Sequence, residues 1–124
     1  MENMTWTYKQ STGDLADPNG DYAGTGYSGA AIARNDGAEQ SVPNVGPIPV
    51  GRYTIGPSYN EVPGLGPCVM HLDPTPETNT FGRSAFRIHG DNVNHDASHG
   101  CVILGPSIRH LIAASEDRML DVIA

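Results

Sequence analysis

The segment Phe86 to Leu104, FRIHGDNVNHDASHGCVIL, limits the possible folds of this chain more than any other. It opens and closes on apolar, strand-like runs, Phe86-Arg87-Ile88 and Val102-Ile103-Leu104. Between them lie thirteen residues that hold three of the five histidines, one of the two cysteines, two aspartates and two glycines. If the flanking runs are neighbouring strands, the loop returns Cys101 to face His89. Folding alone does not need that density of reactive groups. Cys101 therefore reads as a nucleophile and His89 as its base. The thiolate is the reactive species, and a nearby imidazole or fixed backbone dipoles lower the thiol pKa from ~8.5.

The corner Ser98-His99-Gly100-Cys101 supports this reading. Gly100 permits a tight turn. The N–H groups of Gly100 and Cys101 can point at a developing oxyanion, which is worth up to roughly 10²–10³ in rate for one donor. Gly90 has no side chain and leaves its carbonyl accessible to orient the His89 ring. That carbonyl would be the third member of a Cys–His arrangement without a carboxylate. Cys68, between Pro67 and Val69-Met70, reads as a small buried hydrophobe. His71 and His110 read as solvated or core-satisfied, and Asp91 and Asp96 as possible turn caps. His95 is ambiguous. A metal reading would use His89, His95, His99 and Cys101 as an imidazole–thiolate set. Their spacing matches neither a zinc finger nor His-Glu-x-x-His, so neither metal nor cofactor is expected.

The rest of the chain reads as short strands and turns. Fifteen glycines and ten prolines in 124 residues disfavour long helices. Strands are expected at Met4–Tyr8, Asp21–Tyr27, Arg52–Ile55, Cys68–Leu72, Ser84–His89, Gly100–Leu104 and within Asp117–Ala124. Trp6 is expected to be buried, and Asp17-Pro18-Asn19-Gly20-Asp21 is a turn that closes an N-terminal hairpin. Residues 30–40 read as a loop with a short helical turn, 42–51 as irregular extended chain and 57–67 as loop. One helix is expected, with Pro106 at its first position and Ile108, Leu111 and Ile112 on one face. The fold class is mostly β, a sandwich or flattened barrel with one helix in the C-terminal region, and residues 1–124 read as one domain.

A net charge of -7, with seven scattered basic residues, argues against a nucleic-acid partner. No stretch approaches the ~18 apolar residues of a membrane span. MENMTWTYKQ has no basic region followed by an apolar one. The expectation is a chain made in the cytoplasm without a secretory signal and exported, if at all, by a route that needs none. Two cysteines 33 positions apart make neither a disulfide framework nor a Cys-x-x-Cys motif.

Ile88-His89-Gly90, a spacer, then Ser98-His99-Gly100-Cys101-Val102 resembles the signature of the L,D-transpeptidase catalytic domain. Further blocks are similar to the small L,D-transpeptidase-type effectors exported by type VI secretion. They are Gly26-Tyr27-Ser28-Gly29, Val45-Gly46-Pro47-Ile48-Pro49-x-Gly51-x-Tyr53, Gly82-Arg83-Ser84-x-Phe86-x-Ile88-His89-Gly90-Asp91 and Arg109-x-x-Ile112-x-x-Ser115. The resemblance implies an L,D-transpeptidase-like β-sandwich and a peptidoglycan stem peptide as substrate. It makes Cys101 the nucleophile, His89 the base and the Gly90 carbonyl its orienting partner. The oxyanion donors map to the backbone of His99, Gly100 and Cys101. Ser98, Asp91 and Arg83 are the expected substrate contacts, with Arg87 and Arg109 as alternatives to Arg83 for the stem carboxylate. The outcomes open to such an enzyme are L,D-carboxypeptidase trimming, D-amino acid exchange and cross-linking. Its implied partners are a cognate immunity protein and a secretion apparatus, and its place of action is a competitor's periplasm. Two departures stand out: a short His-to-Cys spacing, and Val102-Ile103-Leu104 where an Arg or Asn is usual. The alternative function is a non-catalytic module on the same fold that binds wall fragments or a partner protein.

Overall fold

In the computed structural model, residues 5–60, 62–63, 65–92, 94 and 98–124 are described. Their strands are β1 (Thr5–Lys9), β2 (Asp14–Ala16), β3 (Tyr22–Thr25), β4 (Tyr27–Ser28), β5 (Gly51–Tyr59), β6 (Val69–Pro74), β7 (Phe86–His89), β8 (Val102–Ile103) and β9 (Met119–Ile123). The helix α1 spans Pro106–Ala114. Two single 3₁₀ turns, Ala31–Ala33 and Gly37–Glu39, lie in the 30–40 segment, where a loop with a short helical turn is expected.

The nine strands form one sheet in the order β3-β2-β1-β9-β5-β6-β7-β8-β4. Its two outer members, β3 and β4, are separated in the chain by Gly26 alone. The sheet must therefore curl until its ends meet, and the mostly-β expectation is realised as a curled, nearly closed sheet. Gly26 permits this approach, because a Cβ there would lie 1.7 Å from the Ile103 carbonyl oxygen.

Strand side chains alternate between the two faces of a sheet. Trp6 and Tyr8, Tyr53 and Ile55, Met70 and Leu72, Phe86 and Ile88, and Leu120 and Val122 share one buried cluster, which Leu15, Ile48, Cys68, Val102, Leu104 and Ile112 complete. Trp6 is buried as expected and donates its indole N–H to the Asp117 carbonyl at 3.1 Å. The C-terminal β9 lies between β1, to which it is parallel, and β5, to which it is antiparallel.

The structure shifts several expected boundaries. β5 runs through Pro57 to Tyr59 because its pairing with β6 changes register between Ile55 and Ser58. Pro lacks a donor and is tolerated at such an irregularity. Cys68 precedes β6, buried in the core with φ of 56°. On α1, Ile112 is buried and Ile108 packs against the core, but Leu111 is 55% exposed. The inward position is taken instead by Arg109, whose Nη1 donates to the Leu104 carbonyl at 2.6 Å.

Candidate active site

β7 and β8 are parallel neighbours, with Ile88 level with Val102 and His89 level with Ile103. Phe86, Ile88 and Val102 point into the core. By alternation, Arg87, His89 and Cys101 stand on the opposite face. There, Arg83, Arg87, His89, His99, Gly100 and Cys101 line an open cleft of about 490 Å³. The expected nucleophile and base are thus on one cleft, and the thiol donates to the Ala85 carbonyl at 3.9 Å.

His89 is 2% exposed, and its Nδ1 lies 2.9 Å from the Gly90 carbonyl oxygen. A carbonyl oxygen only accepts, so this contact places the ring proton on Nδ1 and leaves Nε2 as the basic nitrogen. Burial holds the imidazole pKa below its ordinary value, and the Arg109 and Arg87 charges add to that; the Gly90 carbonyl and Asp91 oppose it. Burial also pushes the Cys101 thiol up, against the Arg87 amide, the Arg87 and Arg83 charges and a hydrogen bond from the Arg87 side chain. Both shifts favour a resting thiol and a neutral imidazole over an ion pair.

Ser98 holds the corner together. It is fully buried; its Oγ donates to the Cys101 carbonyl at 2.7 Å and accepts from Gly29 N at 2.8 Å and Gly100 N at 3.2 Å. The hydroxyl expected to contact substrate is thus engaged within the corner. Ser28 Oγ donates to the Gly100 carbonyl at 3.3 Å and accepts from Ile48 N at 2.8 Å. Gly100 has φ of 128°, and a Cβ there would meet Arg83 Nη2 at 2.3 Å, so the position admits only glycine. The Gly100 N–H, one of the three backbone donors expected from the sequence, is directed at Ser98. His99 is exposed, with Nδ1 3.3 Å from the Asn44 carbonyl oxygen.

Arg83 lines the cleft, but its fork is turned toward the loop beside it. Nη1 donates to the carbonyls of Gln40 at 2.5 Å and Pro47 at 2.8 Å, and Nη2 to that of Gly46 at 3.0 Å. Asp91 is exposed and accepts from the Tyr27 hydroxyl at 2.6 Å. The Arg34 guanidinium lies 3.9 Å from the Tyr27 ring centroid. Asp91, Gly90, Arg109 and His89 line a second cleft of about 780 Å³, which shares His89, His99 and Leu65 with the first. Ser28, Gly29 and Tyr27 were visible in the sequence only as part of a motif. Their supporting contacts run across the sheet closure, which no local pattern reveals.

His95 and Asp96 lie outside the described residues. Among the described residues, no three His, Cys, Asp or Glu side chains group as a metal site.

The Tlde1 domain model matches residues 23–122. Among solved structures, the helical cell shape determining protein Pgp2 from Campylobacter jejuni is similar, with a TM-score of 0.55 and 15% identity over 96% of this chain. The chain spans only 46% of that protein's length, and at this identity the likeness concerns the fold. No curated protein matches the sequence.

Proposed function

Because this chain belongs to the Tlde1 domain family of type VI secretion effectors that act on peptidoglycan, we propose that it is a cysteine acyl-transfer enzyme on peptidoglycan stem peptides. The observation that carries the reading is the placement of Cys101 and His89 on one cleft, with His89 Nδ1 held at 2.9 Å by the Gly90 carbonyl oxygen. His89 Nε2 takes the Cys101 proton as Sγ attacks the carbonyl of the diaminopimelate residue. The tetrahedral oxyanion is met by the amides of His99 and Cys101. As it collapses, the C–N bond breaks, His89 returns the proton to the leaving amine, and the terminal D-alanine departs from a thioester. Water then gives the trimmed peptide, a free D-amino acid gives exchange, and a second stem gives a cross-link. Asp91, which lines the second cleft together with His89, meets the incoming amine in this reading.

Such an enzyme acts in a target cell's periplasm and needs a secretion apparatus and an immunity protein as partners. The test is mass analysis of muropeptides incubated with the wild type, Cys101→Ala, His89→Ala and His71→Ala. Trimmed or exchanged stems are expected from the wild type and His71→Ala only. Tetrapeptides left intact by the wild type refute the reading. Stem binding retained in Cys101→Ser, with no acyl adduct in the wild type, establishes the non-catalytic module instead.

A further inference from the structure

We propose that Arg87 is the carboxylate-recognising residue of the cleft and that it selects acyl donors whose leaving group is a single residue with a free carboxylate. The proposal deepens the acyl-transfer reading and rests on it for the identity of the donor.

Three arginines border Cys101 or His89, and two have their guanidinium groups engaged elsewhere. Arg83 donates to the carbonyls of Gln40, Gly46 and Pro47. Arg109 is 5% exposed and donates to the Leu104 carbonyl, and its guanidinium packs so closely on Gly90 that a Cβ there would lie 2.7 Å from Nη1. Arg87 alone of the three both lines the Cys101 cleft and, among the described residues, keeps a buried Nε with no hydrogen-bond partner; the Nε of Arg109 is unpartnered too, but Arg109 lines the neighbouring cleft and not this one. Arg52 pairs with Asp121, remote from the cleft on β5 and β9. A half-buried guanidinium with an unmatched donor is completed by an oxyanion that accepts from two nitrogens at once.

The register supplies the distance. Ile88 is level with Val102, so Arg87 and Cys101, each one residue earlier, lie beside one another as the chain enters β8, and both line the cleft. Neighbouring strands lie about 4.8 Å apart. One extended residue spans about 3.3–3.6 Å. A carboxylate one residue beyond the attacked carbonyl therefore falls within reach of Arg87, and a second added residue would carry it past. His71, level with Arg87 on β6, packs its ring edge-on against Tyr59, with centroids 5.6 Å apart, and brings no charge of opposite sign.

The experiment alkylates Cys101 with iodoacetate and iodoacetamide at one pH, in wild type, Arg87→Gln, Arg87→Lys and Arg52→Gln, and follows the adducts by mass. The ratio of the two rates cancels the thiolate fraction and isolates attraction for a carboxylate. Arg87→Gln should lower the iodoacetate-to-iodoacetamide ratio about tenfold. Arg87→Lys keeps the charge but loses the fork and should fall between. Arg52→Gln changes the net charge equally and should leave the ratio unchanged. Labelling of the buried Cys68 reports any variant that fails to fold, and Arg87→Lys then carries the comparison. A ratio unaltered by loss of Arg87, or lowered as much by Arg52→Gln, overturns the proposal. A parallel arm compares a stem tetrapeptide with its C-terminal amide, which wild type should cut about tenfold or more slowly and Arg87→Gln should not distinguish. If the alkylation ratio falls as expected while wild type leaves the tetrapeptide intact, the carboxylate site stands and the peptidoglycan reading fails.

Discussion

Replacing Ser98 by alanine separates a residue that touches substrate from one that positions the nucleophile. The Ser98 hydroxyl makes three hydrogen bonds, to the Cys101 carbonyl and to the amides of Gly29 and Gly100. Ser98, Gly29 and Gly100 are buried, so water cannot replace the lost partner. Each stranded buried group costs about 1–3 kcal/mol, and with two amides left unmatched the loss is about 3 kcal/mol. The unfolding entropy of a chain this size is about 0.26 kcal/mol/K, so the midpoint should drop by about 12 °C. Thermal unfolding by circular dichroism gives this value without any assumption about substrate. In the same variant kcat should fall more than KM rises, because the Cys101 carbonyl loses its anchor while the cleft walls remain. Ser28→Ala removes the companion bonds to Gly100 and Ile48, and the two effects should not add, since both residues hold one corner. A midpoint within about 2 °C of wild type, with only KM raised, would refute the positioning role and restore Ser98 as a substrate contact.

The depressed His89 pKa gives both a rate and a stability signature. The neutral imidazole is the working form, so kcat/KM should hold its plateau below the ordinary histidine value and fall only as pH drops through the lower folded-state value. Stability follows the same sign: His89 disfavours protonation when folded, so its contribution is full above the unfolded value near 6.5 and is lost as pH falls through the folded value. His89→Gln should flatten that segment of a urea-midpoint titration, and an unchanged slope would count against a buried neutral ring. Gly26→Ala should prevent closure of the sheet, since its Cβ would lie 1.7 Å from the Ile103 carbonyl oxygen. Hydrogen exchange should then show lost protection in β4 and β8 first, and native-like protection there would refute the closure argument.

The parts legible in the sequence are those where a local pattern determines structure. Phe86-Arg87-Ile88-His89 alternates core and cleft residues, and Cys101-Val102 repeats the alternation on the next strand. That pattern contained the face of the site as well as its residues. The Gly90 contact was also local, since it joins adjacent residues. Other features were not local. The Ser28 and Gly29 contacts to the corner cross about seventy positions and exist only because the sheet closes. Arg83 resembled a cleft cation from its place beside Phe86. Its partners are carbonyls of the proline-rich 40–47 loop, whose path no periodicity describes. On α1, a nine-residue helix, apolar spacing placed Leu111 inside, but the carbonyl of Leu104 draws Arg109 inward in its place.

The topology also accounts for the short interval between base and nucleophile. β7 and β8 are parallel, so the end of β7 and the start of β8 lie at opposite ends of the pair. Joining them needs about a dozen residues. Residues 90–101 number twelve, so the interval is near the minimum that the parallel pairing permits. Deleting residues from it would not merely trim a loop. The chain could no longer place Cys101 beside Arg87, and the nucleophile, its base and the carboxylate-reading guanidinium would lose their common face. Inserting residues carries no such penalty, because the cost of closing a flexible loop grows only by about 0.6 kcal/mol for each doubling of its length. The spacer can therefore lengthen to reshape the cleft on the His89 side, but it cannot shorten, and variation in acceptor preference should come through insertion.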